Sequence, residues 1–347
     1  MNLLTVTNES LKKGADIIKN GGLVAFPTET VYGLGADAFN PQALAKVFEV
    51  KNRPFFDPLI IHIASIDYLE KVADLSLLIE DTRKKLFLLA DNLWPGPLSI
   101  VLPKNEKIPG IATAGLQTAA IRFPSNEAAQ KLISLSGTAI AAPSANPFGS
   151  LSPTRAEHVQ DRLGGKIDLI LDGGASQIGL ESTVLDITSG KIKILRPGGT
   201  PREAIEKLIG TVETENKTKE AHEAQGLASP GQMKSHYSPK TPLKVFSRDE
   251  IIKQPDASFC AEKEKIALLF FDGTTREAWQ KTQKHLKVTV IKVLSETGNL
   301  VEAASNLFET LHEIDSSSVS QIIAQSAPQQ GLGEAINDRL MRGSACK

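Results

Sequence analysis

The first 210 residues of the chain alternate short apolar runs with turns rich in glycine, proline and polar residues. Apolar runs of this length between turn-forming residues predict buried β-strands. We expect strands at residues 23–26, 59–63, 98–102, 118–123, 138–142, 169–171, 182–187 and 192–195, of which the last two form a hairpin around Ser189 and Gly190.

Helices are predicted where apolar residues recur three and four positions apart. This spacing favours helices over residues 10–20 and 67–90 and a third that ends near Lys51, because Pro54 disfavours helical geometry at the residue before it. A capping side chain directly before a proline marks the start of the helix that ends near Lys51, at Asn40, and of two further helices, at Ser152 and Thr200.

The chain changes character after residue 210. Residues 211–242 are polar and rich in turn-forming residues, which predicts a linker that is long for a passive connection. Beyond it, predicted strands alternate with predicted helices, a pattern typical of a parallel sheet covered by helices. The strands fall at residues 243–246, 266–271, 288–294 and 319–324, and the helices near residues 274–285, 299–313 and 332–342.

Composition narrows the class of protein. The 347 residues include 39 lysines and arginines against 40 acidic residues, so tight non-specific binding to nucleic acid is not expected. Two cysteines, Cys260 and Cys346, make neither a disulfide framework nor a metal site. Since no apolar run approaches the length of a membrane span, we predict a soluble, cytoplasmic protein without membrane contact.

Two cations follow the helix that begins after Asn40. In an extended helix exit, Lys51 and Arg53 project to the same side, and His62 lies in the next strand and requires a partner or a ligand. Solvated surface cations and a satisfied core histidine explain the same spacing. Because packing matters little at a helix exit, we expect alanine at either cationic position to spare the fold.

Glycines at positions 33 and 35, followed by Ala38, resemble a dinucleotide fingerprint. That fingerprint requires a helix that opens within the glycines, whereas the next helix signal is at Asn40. We therefore predict a glycine-rich turn that lets a ligand approach the backbone. No GxxxxGK[ST] sequence occurs, so a P-loop is excluded.

Two further segments carry candidate binding groups. Ser144 and Asn146, bracketed by prolines, can present a hydroxyl and an amide to one side, and the predicted helix start at Ser152 favours an anion. A plain turn followed by a cap is the alternative. Arg122 lies in an apolar strand, where an edge-strand arginine facing water is the alternative to a buried ligand-binding group.

These motifs together resemble the YrdC-like family in its long two-domain form, the threonylcarbamoyl-AMP synthases. The motifs that carry the resemblance are FPTETVYGLGADA, KNRP with DPLIIHI, WPGPLSIVL, AIRFP, APSANPFGSLSPT, ESTVLDI, ILRPGG, SPGQMKSHYSPKTPL and GLGEAINDRLMR. The resemblance implies an α/β fold: a YrdC-like catalytic domain over residues 1–210 with a twisted mixed sheet and helices, a linker or lid over residues 211–242, and a small Rossmann-like parallel α/β domain over residues 243–347.

The resemblance implies a nucleotidyltransferase that forms threonylcarbamoyl-AMP and pyrophosphate from L-threonine, bicarbonate or carbon dioxide, and ATP with Mg²⁺. A separate threonylcarbamoyl transferase complex then modifies tRNA. Carried onto this chain, the catalytic residues are Lys51, Arg53, Ser144 and Asn146. The threonine-binding residues are Thr30, His62, Arg122, Thr138 and Ser182. The ATP-binding residues are Arg53, Asp57, Thr118, Ser144, Ser152, Arg196 and Tyr237, with no metal ligand from the protein.

Tyr237 lies in the linker, in a stretch without a core pattern, and we expect the linker to fold over the nucleotide as a lid. The alternative function is a nucleotide- or RNA-binding regulatory module of the same fold without catalysis. Weak RNA binding is a further partner prediction, although the even charge balance of the chain weakens the case for a pure RNA binder. A related carbamoyl-transfer enzyme is excluded, because it requires zinc-finger segments and two cysteines cannot supply them.

Overall fold

The computed structural model describes residues 2–188, 191–214, 236–253, 265–282 and 288–345. Contacts divide the chain into two compact units. The first comprises the described residues of 1–148, 153–177 and 181–232, and the second comprises those of 149–152, 178–180 and 233–347. Cys260, Cys346 and the predicted turn at Ser189 and Gly190 lie outside the described residues.

A mixed β-sheet forms the centre of the first unit. Within the described residues it has eleven strands in the order β1-β8-β2-β3-β7-β4-β6-β5-β9-β10-β11. Parallel and antiparallel pairs alternate irregularly across it, as expected of a mixed sheet. The strands are β1 (Leu3–Thr5), β2 (Val24–Phe26), β3 (Gly33–Asp37), β4 (Ile60–His62), β5 (Leu98–Pro103), β6 (Thr118–Arg122), β7 (Ile140–Ala141), β8 (Leu169–Asp172), β9 (Thr183–Asp186), β10 (Lys193–Arg196) and β11 (Glu213–Thr214).

Helices in this unit present apolar stripes to the sheet. For α1 the buried side chains include Leu11, Ala15 and Ile18, spaced three and four apart, and α5 packs in the same apolar cluster. The helices are α1 (Asn8–Lys19), α2 (Pro41–Lys51), α3 (Leu69–Val72), α4 (Glu80–Leu93), α5 (Glu127–Ser136), α6 (Ala156–Leu163) and α7 (Arg202–Ile209), with short 3-10 turns at Ile66–Tyr68, Leu75–Leu77 and Gly110–Thr113.

The first site helix, α2, follows its sequence signals closely. The Asn40 side chain accepts hydrogen bonds from the backbone amides of Gln42 and Ala43, and proline occupies the first turn. The helix ends at Lys51 as predicted. It does not continue into an extended segment, since Asn52 adopts the left-handed conformation with φ 52° and ψ 43°. The prediction of an extended exit was therefore wrong.

The glycine-rich stretch forms strand β3 and is not the predicted turn. It pairs with β2 and β7 in antiparallel fashion. A Cβ atom at Gly35 would lie 2.8 Å from both Ile140 Cγ2 and Phe26 Cε1, so the glycine is required for close packing between neighbouring side chains. No helix opens within the glycines, in agreement with the rejection of a dinucleotide fingerprint.

Four parallel strands form the sheet of the second unit, in the order β12-β15-β13-β14 among its described residues. This sheet confirms the strand–helix alternation read from the sequence, although one short helix, α8, was missed. The strands are β12 (Leu243–Phe246), β13 (Ile266–Asp272), β14 (Val288–Ser295) and β15 (Gln321–Gln325), and the helices are α8 (Arg248–Lys253), α9 (Gly273–Thr282), α10 (Leu300–Ser316) and α11 (Leu332–Ser344).

Several local predictions in the first unit were wrong. The single helix expected over residues 67–90 is broken into short turns before α4 begins. Ser152 caps no helix, because α6 begins later, after Arg155. Thr200 is not a cap either, since Pro201 occupies that position of α7 without a side-chain hydrogen bond. Among the described residues, none of the helices has the length and apolar composition that crossing a membrane requires.

Candidate active site

Adjacent strands bring several of the predicted site residues to neighbouring positions. In the sheet register, Arg122 of β6 lies between His62 of β4 and Ser99 of β5. On the other side of β5, the strand β9 begins directly after Ser182, and Arg196 closes β10 opposite Val184. The sheet register thus positions residues that are far apart in the sequence.

Lys51 is buried against the segment that holds Ser144 and Asn146. Its Nζ donates to the Ser144 carbonyl at 2.6 Å and also to the Asn146 carbonyl. The backbone amide of Phe148 donates in turn to the Lys51 carbonyl at 2.8 Å. With 1 % of its surface exposed, Lys51 is not the solvated surface cation of the alternative interpretation.

Arg53 is fixed by the turn that follows it. Its Nε donates to the Asp57 carbonyl at 3.0 Å, and its Nη2 donates to the Pro58 carbonyl at 2.7 Å. The same Nη2 lies 2.9 Å from Asp57 Oδ2, and both side chains are buried. Arginine held by several partners keeps its guanidinium in one orientation, which suits binding to a planar or multiply charged anion.

Lys51, Arg53, Arg196 and Asp57 form a buried group that we call the cation cluster. Burial lowers the pKa of Lys51 well below its usual range, and the nearby charge of Arg53 lowers it further. Burial raises the pKa of Asp57, while the charges of Arg53, Lys51 and Arg196 oppose that rise. The cluster therefore places three basic side chains around one carboxyl group in the interior, an arrangement that suits an anion.

Two serine hydroxyls connect Arg196 to strand β5. Ser99 Oγ lies 2.8 Å from Ser182 Oγ, and both residues are buried. The Arg196 Nη2 donates to the Ser182 carbonyl at 2.8 Å and to its Oγ at 3.2 Å. Ser99 was missed by sequence reasoning, because its position on an apolar strand carries no signal apart from a single hydroxyl within a buried run.

A second charged group surrounds Arg122. Its Nη2 lies 2.7 Å from Glu29 Oε1, and each side chain is only 4 % exposed. Because β6 lies between β4 and β5, the interpretation of Arg122 as an edge-strand arginine facing water was wrong. Sequence reasoning also missed Glu29, although a carboxylate within an otherwise uncharged motif after a buried strand is a usable signal.

His62 is a neutral imidazole at physiological pH. Burial, followed by the charge of Arg122, lowers the pKa of His62 to about 3. Its Nδ1 lies 3.1 Å from the Ile60 carbonyl and donates to it, since a carbonyl can only accept.

Three of the predicted site residues, Thr30, Thr138 and Thr118, are themselves threonines, and their side chains have different surroundings. The Thr30 Oγ1 lies 2.7 Å from the Thr28 Oγ1 in the interior. The Thr138 hydroxyl donates to Asp37 Oδ1 at 2.7 Å. It makes no hydrogen bond to the other residues that were predicted to bind L-threonine, all of which are described. Thr118 begins β6, at the opposite end of the strand from Arg122, and is half-buried.

Ser152 and Tyr237 belong to the second unit. The Ser152 carbonyl accepts a hydrogen bond of 3.0 Å from Nε2 of His312 on α10. Tyr237 is buried, with its ring centroid 6.0 Å from that of Phe308 and 4.8 Å from the Arg339 guanidinium carbon. Tyr237 is thus buried although its stretch of sequence carries no core pattern, and residues 215–235 of the predicted lid lie outside the described residues.

Comparison with known proteins decides the family. A sequence model described as "Telomere recombination" matches residues 16–198, and one described as "Threonylcarbamoyl-AMP synthase, C-terminal domain" matches residues 200–345. A protein named threonylcarbamoyl-AMP synthase from Pyrococcus abyssi is 40 % identical over 339 residues, which cover 96 % of this chain and 94 % of that protein. The chain belongs to the threonylcarbamoyl-AMP synthase family.

Other members extend the similarity. The Bacillus subtilis threonylcarbamoyl-AMP synthase is 38 % identical over 343 residues, covering 98 % of this chain and 94 % of its own. The crystal structure of P. abyssi Sua5 complexed with L-threonine matches with a TM-score of 0.85 at 38 % identity, covering 99 % of this chain and 96 % of that one. These matches confirm the α/β fold class of this chain. They also identify the chain as an enzyme of the nucleotidyltransferase class.

Proposed function

We propose that this enzyme joins L-threonine, carbon dioxide or bicarbonate, and ATP into threonylcarbamoyl-AMP and pyrophosphate. The observation that carries the proposal is the cation cluster, in which buried lysine and arginine side chains are fixed by backbone carbonyls. The product would pass to a separate threonylcarbamoyl transferase complex that modifies an adenosine of tRNA. The complex of P. abyssi Sua5 with L-threonine supports the choice of amino acid.

The proposed reaction has two bond-forming steps. The threonine amine loses a proton and attacks the carbon of carbon dioxide, which gives a carbamate. A carbamate oxygen then attacks the α-phosphorus of ATP, and the bond to the bridging oxygen breaks as pyrophosphate leaves. Negative charge on the phosphate oxygens rises in the transition state, so preorganised cations contribute most of the stabilisation.

Each side of the site receives a proposed role. Lys51, Arg53 and Arg196 bind the phosphates, assisted by the hydroxyl of Ser144 and the amide of Asn146. Asp57 and Thr118 are further nucleotide contacts in the first unit, whereas the ATP-binding roles of Ser152 and Tyr237 stay predictions from the family resemblance. Arg122 binds the threonine carboxylate, and Thr30, His62, Thr138 and Ser182 surround its remaining groups. In a solved P. abyssi Sua5 variant, an adjacent histidine and tyrosine are both alanine (TM-score 0.86, 38 % identity, covering 99 % of this chain and 96 % of that one). The dipeptide His236-Tyr237 of the second unit is therefore a further pair to examine for nucleotide binding.

Magnesium is proposed to enter with ATP and to be held by nucleotide oxygens. The described residues contain no group of three histidine, cysteine, aspartate or glutamate side chains that could hold a metal ion. Asp57, the carboxylate of the cation cluster, is surrounded by three cationic side chains, which disfavours a divalent cation beside it. No step proposed for these residues depends on a protein-bound metal.

Pyrophosphate release provides the direct test of the proposed function. We expect release only when L-threonine, bicarbonate and ATP are all present. Alanine should be rejected more strongly than serine, because loss of the hydroxyl leaves buried polar groups unpaired, whereas loss of a methyl group costs little. Equal release with alanine or without an amino acid would contradict the proposal and favour the regulatory module without catalysis.

ATP binding is expected to take up a proton at Lys51. The pKa of Lys51 is lowered in the free protein, and a polyphosphate beside it would raise that pKa, so the bound lysine holds its proton at higher pH. Calorimetry over a series of pH values above about 7, where a phosphate ester with a second pKa of about 6 is ionised, measures the uptake in buffers of different ionisation enthalpy. A binding enthalpy independent of the buffer would contradict this, and Lys51→Met should abolish the dependence.

A further inference from the structure

Glu29 is a buried carboxylate for which the proposed reaction assigns no role. Its side chain is 4 % exposed, and its charge is balanced by Arg122 at 2.7 Å. An ionised group in the interior is costly unless it is paired and hydrogen-bonded, so its presence beside the proposed threonine site requires a reason. The pair lies next to His62, whose pKa responds to the charges of both residues.

The carboxylate of Glu29 is ionised but incompletely satisfied. Burial would raise the pKa of Glu29, but the charge of Arg122 and the neighbouring backbone amides of Glu29 and Ser125 outweigh burial and lower it. Despite their proximity, none of these donors makes a hydrogen bond of normal geometry to either carboxylate oxygen in the described part of the chain. Two oxygen atoms therefore retain acceptor capacity in a buried position.

The guanidinium group of Arg122 also retains hydrogen-bond donors that can bind a further acceptor. Its Nε donates to the Gly96 carbonyl at 3.3 Å, and its Nη2 faces Glu29. Its Nη2 makes no hydrogen bond of normal geometry to the described residues, and none is seen from its Nη1 to them. A guanidinium has five N–H donors, so this arrangement can still bind a carboxylate through the free edge.

We propose that Glu29 binds the α-ammonium group of L-threonine while Arg122 binds its α-carboxylate. This inference rests on the proposed function and adds to it a specificity residue for the amino group. In an α-amino acid the two charged groups share one carbon atom, so adjacent partners of opposite charge are required. His62 is neutral and cannot supply the negative charge. Glu29 can supply it while its carboxylate stays paired with Arg122.

A structural counter-ion is the competing explanation for Glu29. In that case the carboxylate only balances Arg122, and its loss would impair every ligand that depends on Arg122. The two explanations differ in how the loss depends on the ligand. A direct contact with the ammonium affects only ligands that carry one.

The test compares L-threonine with 2,3-dihydroxybutanoate, which has a hydroxyl in place of the ammonium group, by calorimetry on the full chain. We expect Glu29→Gln to weaken L-threonine binding by at least about 10-fold, the scale of one charge-assisted hydrogen bond. Its binding of the analogue should change by less than about 2-fold relative to the unmutated protein. Equal losses for both ligands would overturn the inference.

A second variant covers the case in which glutamine destabilises the fold by leaving Arg122 unpaired. Glu29→Asp keeps the negative charge on a side chain that is shorter by one methylene group. It should show the same selective loss of affinity for L-threonine. Glu106→Gln, at an exposed position, serves as the matched control and should bind L-threonine normally. Failure of the unmutated protein to bind L-threonine would overturn the proposed function together with the inference, whereas equal losses overturn the inference alone.

Discussion

Replacement of Lys51 by methionine is expected to lower the rate of pyrophosphate release by at least about 100-fold, the scale for loss of one preorganised donor. Methionine is unbranched and of similar length, so it fills the buried space that Lys51 occupies. It removes the charge beside the phosphates and leaves the carbonyls of Ser144 and Asn146 without their donor. Single-turnover pyrophosphate release and thermal unfolding are the two measurements.

The control for this variant is Lys46→Met, an exposed lysine on the same helix, α2. It should retain normal turnover. Arg53→Lys tests the neighbouring cation, and it should also lose turnover because an ammonium cannot reproduce the fixed planar fork that contacts Asp57 and Pro58. A folded Lys51→Met protein with normal turnover would remove the cation cluster from the mechanism.

Methionine is chosen here because the premise behind the alanine variants, that packing matters little at the helix exit, was wrong. Sequence reasoning assigned Lys51 and Arg53 to a helix exit where packing matters little, but 1 % and 7 % of their surfaces are exposed. Truncation to alanine would therefore leave a cavity as well as remove a charge. A loss of activity in an alanine variant would mix the two effects.

Gly198→Ala is expected to destabilise the protein by about 1–3 kcal/mol and to impair catalysis as well. A Cβ atom at this position would lie 2.3 Å from the Glu181 carbonyl oxygen and 2.5 Å from the Thr183 nitrogen, so the backbone on either side of Ser182 must move. Ser182 anchors the guanidinium of Arg196, and a displaced anchor misplaces a cation of the site. Urea unfolding and pyrophosphate release measure the two effects.

The matched control for that substitution is Gly110→Ala. A Cβ atom there would meet no heavy atom within 4 Å, so stability and turnover should stay close to those of the unmutated protein. If Gly198→Ala were as stable and active as this control, the close approach of Gly198 to residues 181–183 would matter neither for stability nor for catalysis.

Local signals explain what the sequence predicted well. Helix α2 begins at a capping asparagine before a proline and presents an apolar stripe, so its limits follow from neighbouring residues alone. The parallel sheet of the second unit was predicted from the alternation of strands and helices, a pattern that is also visible along the chain.

Long-range packing explains what the sequence did not predict. Gly35 lies in a strand because Phe26 and Ile140 crowd its position, and neither neighbour can be inferred from a motif of spaced glycines. The same holds for the pair of Glu29 and Arg122, which only the folded sheet brings together. In the stretch where the predicted helix is broken, the backbone amide of Asp74 donates to the Pro103 carbonyl at 2.9 Å, a contact outside the local sequence.

The hydrogen bond between His312 and the Ser152 carbonyl has a consequence for the modularity of the chain. Residues 149–152 and 178–180 are inserted in the sequence of the first unit but belong by contact to the second. An excision after residue 210 would therefore separate these segments from the residues that support them, including the donor to Ser152. A truncated N-terminal half of this chain is therefore expected to lose the contacts that hold these two segments.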